Sequence, residues 1–185
     1  MMCSQTLARR GSICGSHKGT HSERSSSKTM TFLTPIDDRY FEDYVPGEVH
    51  DFGSIVAEEP EMIAFARSFD PQPFHTDPVA AKQSVFGGLI ASGWYTAGLM
   101  MRLYVDHYLS HVASLSSPGV DELRWLKPVR PGDTISIRIT ISETRRSNSK
   151  LDRGIVHSYI EVLNQNSEVV MSVKGVNLLE CREIG

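Results

Sequence analysis

Apolar and polar residues alternate along the C-terminal half of the chain. Over residues 134–141 an isoleucine occupies every second position, and the same alternation runs through 156–162. Because successive side chains of a strand point to opposite faces of a sheet, both segments predict strands with one buried face. Strand-like sequence begins after Gly119, and the polar run 164–167 predicts a hairpin turn into a further strand over 168–179.

The N-terminal half carries helical patterns. Apolar residues recur at helical spacing over 61–69, and Pro60 suits the first turn of that helix. Asp77 is placed to cap a second, short helix over 78–83. A longer segment, 89–109, is apolar on almost every side, which is typical of a helix enclosed by other structure.

The order of these elements predicts the fold class. A strand over 49–56 precedes the helices, and the run of strands follows them. Helices segregated from a run of strands favour an α+β fold. A sheet with one apolar face has to cover an apolar partner, and the helix over 89–109 is the candidate. We therefore predict an antiparallel sheet wrapped around one long central helix.

The first 29 residues differ from the rest in composition. They are rich in Ser, Arg, Lys, Gly and His, and Glu23 is their only acidic residue. Such a segment buries too little apolar surface to offset its ordering entropy, so we predict a disordered tail over 1–29 and a single domain over 30–185. The regular pattern itself begins near Tyr40. A leader in front of a start at Met30 is the alternative.

Charge and cysteine content narrow the class of protein. A net charge of −3 over 185 residues gives no bulk attraction to nucleic acid or to a membrane surface. We find no apolar run of about 18 residues and expect no transmembrane helix. Three scattered cysteines argue against a disulfide framework and favour a reducing compartment. We expect a cytoplasmic protein, with mitochondrial import as an alternative because the tail is poor in acidic residues.

The segment 70–78 carries the candidate chemistry. Three prolines within eight residues restrict its backbone, and Asp70 and His75 stand on either side of two of them. A carboxylate and an imidazole held toward one water can act as general base and acid, since the pKa of histidine lies near neutrality. The plainer alternative is that Asp70 caps a helix and His75 is a hydrogen-bonded structural residue.

Residues 70–81 resemble the motif of the MaoC-like, (R)-specific enoyl-CoA hydratases. That motif reads Asp-x-Asn-Pro-aliphatic-His, with a small residue six positions later, and this chain fills it with Asp70, Gln72, Pro73, Phe74, His75 and Ala81. The resemblance implies a hot-dog fold and reversible hydration of a trans-2-enoyl thioester in fatty acid metabolism. It also implies that Asp70 and His75 are the catalytic pair, with no cofactor beyond the coenzyme A of the substrate.

The resemblance extends over residues 40–179 and assigns the substrate site. Segment 86–93 is similar to the entrance of the family's central helix, which implies that the Gly93 amide polarises the thioester carbonyl. The chain departs from the family pattern at three positions, with Gln72 for Asn, Ser92 for His and Phe74 for an aliphatic residue. We take these three residues and Trp94 as substrate-binding candidates, with plain helix packing as the alternative for Trp94.

Other ligands are less well supported by the sequence. Asp70, His75 and Asp77 have metal-ligand chemistry, but no second histidine lies near them, so we expect no metal. His107 and His111 are spaced for one helix face and are expected to face solvent. Three basic residues are candidates for the phosphates of coenzyme A, with a solvated surface as the alternative: Arg124, Lys127 and Arg130.

Three functions remain open at this point. The first is an enoyl-CoA hydratase or 3-hydroxyacyl-CoA dehydratase acting on a CoA or acyl-carrier-protein thioester. The second is a hot-dog thioesterase, which usually needs a carboxylate on or beside the central helix, whereas residues 89–101 contain no Asp or Glu. The third is a non-catalytic subunit that binds acyl-CoA. The resemblance also implies a homodimer or a higher homo-oligomer.

Overall fold

A computed structural model describes residues 32–182, and the predicted tail over 1–29 lies outside them. Two 3₁₀ turns, Ile36–Asp38 and Phe41–Asp43, precede the regular elements. The strands are β1 (Val49–Val56), β2 (Ser114–Trp125), β3 (Thr134–Arg146), β4 (Arg153–Leu163) and β5 (Val169–Glu180). The helices are α1 (Glu59–Phe69), α2 (Pro73–Thr76), α3 (Pro78–Lys82) and α4 (Gly93–His107).

The five strands form one antiparallel sheet in the order β1-β3-β4-β5-β2. Strands β3, β4 and β5 are neighbours both in sequence and in the sheet, and they form an antiparallel meander, which agrees with the predicted antiparallel sheet. The predicted hairpin turn is also present, since the Asn164 amide donates to the Glu168 carbonyl at 3.0 Å. Strand β2 joins the far edge beside β5, so residues 126–133 must cross the ends of two strands before β3 begins.

The inner face of the sheet covers α4. Four isoleucines of β3 are fully buried, as their alternation predicts: Ile135, Ile137, Ile139 and Ile141. The side of α4 that meets the sheet contributes Tyr95, Leu99 and Leu103 to the same core. Burial of each large apolar side chain contributes roughly 1.5–3 kcal/mol, so this interface accounts for much of the stability. The predicted α+β architecture, a sheet wrapped around a long helix, is confirmed.

The long helix is shorter than the sequence predicts. It was expected over 89–109, but residues 89–92 are extended and α4 begins at Gly93. Two amides of this extended segment bond to other parts of the chain, Ile90 to the Phe74 carbonyl and Ala91 to the Val129 carbonyl at 2.8 Å. Apolar periodicity cannot distinguish a buried extended segment from the first turn of a buried helix, so only tertiary hydrogen bonding sets this boundary.

The expectation that α4 is enclosed on all sides is wrong for this chain. Trp94, Met101 and Val105 are 58%, 46% and 42% exposed. Their spacing of seven and four residues places them on one stripe of the helix surface. A five-stranded sheet curls around only part of a helix, which leaves this apolar stripe open.

Smaller differences concern the element boundaries. Helix α1 begins at Glu59, two residues before the predicted start, because Pro60 fits within its first turn. The proline-containing segment 70–78 includes the one-turn helix α2, which the sequence pattern did not predict. Strand β2 begins at Ser114, not after Gly119, because Ser114 pairs with Leu179 of β5.

Within residues 32–182, no helix combines the length and apolarity needed to cross a membrane.

Packing begins before Tyr40, where the regular sequence pattern starts. The ring of Phe32 stacks on the buried His50 ring with centroids 4.1 Å apart. The guanidinium of Arg39 lies over Phe32 and donates to the carbonyls of His107 and Tyr108 at the end of α4. A cation stabilises the negative end of the helix dipole, so this segment completes the C-terminus of α4.

Candidate functional site

The segment between α1 and α3 places Asp70 and His75 side by side. Asp70 ends α1, where its amide donates to the Ala66 carbonyl at 2.8 Å. Pro73 opens α2, and His75 follows within the same turn. Proline fixes φ at a helix start without loss of a needed donor, so the separation of the two side chains is set by the backbone.

The buried imidazole of His75 is held in one tautomer. Its Nδ1 lies 2.9 Å from the Ile90 carbonyl oxygen, which can only accept, so Nδ1 carries the proton. In the neutral ring Nε2 is therefore an acceptor. Nε2 faces the Asp70 carboxylate, 3.4 Å from Oδ2, which is longer than an ordinary hydrogen bond.

The Asp70 carboxylate receives two side-chain hydrogen bonds. The Gln72 Nε2 group donates to Oδ1 and the Ser92 hydroxyl donates to Oδ2, each at 2.7 Å. The bond from Gln72 and then that from Ser92 lower the pKa of the Asp70 carboxyl below its ordinary value, against a smaller opposing effect of burial. The carboxylate is therefore kept ionised and fixed in orientation.

The N-terminus of α4 completes the site. Ser92 is its N-cap, and the same hydroxyl that donates to Asp70 accepts from the Trp94 amide at 3.2 Å. Gly93 is the first helical residue, and the first amides of a helix have no acceptor within it. These amides and the helix dipole favour negative charge, so an oxygen that gains charge during a reaction would be stabilised beside Gly93.

These groups surround one cavity of about 570 Å³. That volume lies within the range of small-molecule sites. Much of its wall is aromatic: Phe69, Phe74, Phe86, Trp94 and Trp125. An apolar wall with a few polar groups suits an acyl chain that carries one polar reacting centre.

Six of the seven predicted site residues line this cavity: Asp70, Gln72, Phe74, His75, Gly93 and Trp94. Ser92, the remaining substrate-binding candidate, does not line the cavity. Ser92 is fully buried and lies behind Asp70 because its hydroxyl is shared between the carboxylate and the helix cap. Its role is to support the site instead of contacting a ligand there.

The three candidates for binding the phosphates of coenzyme A do not lie together in the structure. Lys127 lines the cavity and pairs with Glu168. The Arg130 guanidinium donates to the Phe86 carbonyl at 2.7 Å, and Arg124 donates to the Leu123 carbonyl. Neither arginine lines the cavity. Of the three, Lys127 is therefore the one placed to meet a ligand there.

Sequence reasoning missed several parts of the site. The Ile90 carbonyl that fixes His75 carries no sequence signal, since any residue supplies a carbonyl. Phe86 packs on Phe74 with ring centroids 5.2 Å apart, and Trp125 donates to the Gly93 carbonyl. Trp125 ends an edge strand and is distant in sequence from the motif, so only the fold brings it to the site.

Asp77 does not join Asp70 and His75 to complete a set of metal ligands. The Asp77 carboxylate accepts from the Val79 and Ala80 amides and so caps α3, as predicted. His107 and His111 are exposed, and His111 pairs with Asp37. In the described part of the chain, no group of three His, Cys, Asp or Glu residues is arranged to hold a metal ion.

A curved antiparallel sheet around one helix, with the cavity at the helix N-terminus, is the hot-dog fold. The crystal structure of a MaoC-like dehydratase from Rhodospirillum rubrum superimposes with a TM-score of 0.73 and 39% sequence identity, covering 78% of this chain and 99% of that one. The model of the MaoC-like domain family matches residues 19–162. The chain belongs to that family.

Two relatives match part of the chain. The protein MaoC of Klebsiella aerogenes is 33% identical over 103 residues, which are 55% of this chain and 30% of that protein. An (R)-specific enoyl-CoA hydratase of Rhodospirillum rubrum is 28% identical over 109 residues, 56% of this chain and 69% of that protein. The aligned region thus spans less than a third of the Klebsiella protein's length.

Proposed function

We propose that this protein catalyses the reversible hydration of a trans-2-enoyl thioester to a 3-hydroxyacyl thioester. The observation that carries the proposal is the arrangement of Asp70 and His75 at the cavity beside the first amide of α4. Membership of the MaoC-like family and the similarity to an (R)-specific enoyl-CoA hydratase support it.

The pair is arranged to hold one water. Neutral His75 presents a lone pair on Nε2, and ionised Asp70 presents lone pairs on Oδ2, so the two facing atoms are both acceptors. A water bound at both groups satisfies them with its two protons. Its oxygen lone pairs then point away from the pair, toward the substrate.

The reaction follows from this geometry. As the water oxygen bonds to C3, the carboxylate–imidazole pair takes a proton, and the electrons of the C2=C3 bond move to the thioester oxygen. The Gly93 amide and the dipole of α4 stabilise the enolate oxygen. The pair then returns a proton to C2, so atoms and charge balance. Dehydration is the reverse.

The test is turnover of enoyl-CoAs by the purified protein. Crotonyl-CoA and longer or branched trans-2-enoyl-CoAs lose ultraviolet absorbance when water adds to the conjugated double bond. We expect hydration, and we expect Asp70→Asn to lower kcat by about 10²–10⁴-fold, because an amide cannot accept the proton. Asp77→Asn is the matched control, since it makes the same change at a helix cap and should keep wild-type activity. Unchanged absorbance with the wild-type protein across the panel contradicts the proposal.

The two alternatives predict different outcomes for the same purified protein. A thioesterase releases free thiol from saturated acyl-CoA, and Gly93 to Met101 of α4 contain no Asp or Glu that would serve such a reaction. A non-catalytic subunit binds acyl-CoA without turnover. Thiol release is followed with a thiol reagent, and binding is followed by calorimetry. Each alternative function is therefore identified by a separate measurement.

We also propose that the protein works as a homodimer or a larger homo-oligomer on a CoA or acyl-carrier-protein thioester. Strand β2 is an edge strand with exposed backbone groups, and exposed edges are common sites of strand pairing. The apolar stripe of α4, defined by Trp94, Met101 and Val105, is exposed in the single chain. A two-fold interface would cover such surfaces.

A further inference from the structure

Trp125 ends β2 and lies against the first turn of α4. Its indole Nε1–H donates to the Gly93 carbonyl oxygen at 2.9 Å. Its ring fills the space that a β-carbon at position 93 would need. Glycine at 93 therefore allows the indole to approach the backbone that carries the candidate oxyanion donor. The contact ties the edge strand directly to the helix N-terminus.

Trp125 also forms part of the cavity wall together with Trp94. The two rings are arranged edge to face, with centroids 5.3 Å apart and planes at 80°. Both line the cavity that holds Asp70 and His75. Trp125 is 48% exposed, so core burial does not explain its position. A bulky, half-exposed ring beside the reacting groups limits the space that remains for an acyl group.

We propose that Trp125 is a positioning residue that also sets the upper size of the acyl group. Its N–H group holds the carbonyl of Gly93, and with it the peptide plane that contains the Trp94 amide and adjoins the Gly93 amide. Its ring closes one side of the cavity. This inference rests on the proposed function and adds a selectivity residue that lies outside the loop motif. Two substitutions at position 125 should therefore separate the effect of the hydrogen bond on kcat from the effect of ring volume on acyl preference.

Trp125→Phe removes the indole N–H and keeps an aromatic ring. We expect kcat to fall about two- to tenfold, the value of one net hydrogen bond, while the preference among acyl groups stays close to wild type. Trp125→Ala removes the ring as well. Its kcat/KM for long or β-branched enoyl-CoAs relative to crotonyl-CoA should rise about tenfold or more, because pocket volume governs discrimination between apolar groups. Leu151→Ala, an exposed residue between β3 and β4, is the control and should match wild type.

Two outcomes would overturn the inference. A Trp125→Ala protein with wild-type acyl preference excludes the size limit, and a Trp125→Phe protein with wild-type kcat excludes the positioning role. Circular dichroism checks that each variant is folded. Should the alanine variant fail to fold, Trp125→Leu replaces it, because leucine keeps an apolar side chain of smaller volume.

A binding experiment separates failure of this inference from failure of the proposed function. Trp94 and Trp125 are the two tryptophans of the chain and both line the cavity, so tryptophan emission reports on this cavity. Butyryl-CoA and octanoyl-CoA cannot be hydrated, yet their titration should change the emission. If the wild type binds both ligands without hydrating any enoyl-CoA, the proposed hydratase function is rejected. A shift of relative affinity toward octanoyl-CoA in Trp125→Ala would still support the size limit. An unshifted ratio of affinities rejects it.

Discussion

His75 and Asp70 are both oriented by the extended segment that precedes α4. The Ile90 carbonyl holds the imidazole, and two residues later the Ser92 hydroxyl holds the carboxylate. The two groups therefore move together if this segment moves. Small errors in the placement of reacting groups are costly in rate, so a shared support has a direct advantage.

Ser92→Ala tests this support at the level of a single side chain. Loss of the bond to Asp70 should raise the pKa of that carboxyl toward its ordinary value, because this bond is one of the two that lower it. The acidic limb of kcat/KM against pH should then move to higher pH. The lost helix cap should also reduce the free energy of unfolding by about 0.5–2 kcal/mol.

Ser92→Thr is the control for this prediction, because threonine keeps the hydroxyl. Its pH profile should follow the wild type. An unchanged acidic limb in Ser92→Ala would show that the hydroxyl does not tune Asp70, even if the protein loses stability.

At the scale of elements, Asp77 joins two short helices. Its amide donates to the carbonyl of Pro73, the first residue of α2, and so closes that turn. Its carboxylate accepts from two amides at the start of α3. One residue thus ends the turn that carries His75 and begins the next helix. Helices of four and five residues are too short to be stable alone, so such local bonds matter.

Asp77→Ala should lower the free energy of unfolding by about 0.5–2 kcal/mol through loss of the cap. Asp77→Asn should lose much less, since asparagine caps nearly as well. Urea denaturation followed by circular dichroism measures both values. Equal losses in the two variants would mean that charge, and not the cap, is responsible.

At the scale of the whole molecule, Arg182 joins the C-terminal end of the described chain to its N-terminal turns. Its guanidinium bonds to Asp38 and Asp43, and its amide donates to Glu42 at 2.9 Å. Burial works to raise the pKa of Glu42 and of Asp43. Hydrogen bonds, among them those from Arg182, outweigh burial and leave each pKa below its ordinary value.

These lowered pKa values predict the response to acid. A carboxyl with a lower pKa in the folded state stabilises the fold at pH values above its unfolded pKa of about 4, and this contribution is lost as pH falls through the folded value. Arg182→Ala keeps the backbone amide that bonds to Glu42 but removes the guanidinium that bonds to Asp43. Through Asp43, the variant should lose more stability at neutral pH than at pH about 3. Arg124→Ala, an exposed arginine that bonds to the Leu123 carbonyl, is the control. Parallel pH profiles for Arg182→Ala and wild type would contradict the prediction.

A substitution on strand β2 tests whether two copies of the whole molecule associate through this edge. Val120 lies on the exposed edge strand β2. A lysine there opposes pairing of two edges, because each copy would bring a charge to the contact. We expect the wild type to sediment as a dimer or larger species and Val120→Lys to shift toward monomer, with Leu151→Lys unchanged. A monomeric wild-type protein at micromolar concentration contradicts the proposal.

Local patterns of the sequence predict the elements well and their contacts less well. The isoleucine alternation of β3, the cap at Asp77 and the turn at 164–167 are all confirmed, because each depends on a few neighbouring residues. The start of α4 was placed four residues too early, since the bonds of the Ile90 and Ala91 amides come from distant segments. Ser92 was taken as a substrate-binding candidate, and not as a support for Asp70, because its hydrogen bond to Asp70 also joins residues that are distant in sequence.

The sequence by itself determined the α+β class, the core face of the sheet and the pairing of Asp70 with His75 on one stiff segment, because these depend on periodicity and on proline geometry over short distances. The tertiary structure alone decided the tautomer of His75, the hydrogen bond from Ser92 to Asp70, and the place of Trp125 beside Gly93. Most of those contacts join residues far apart in the chain, and they form only when the sheet closes around α4.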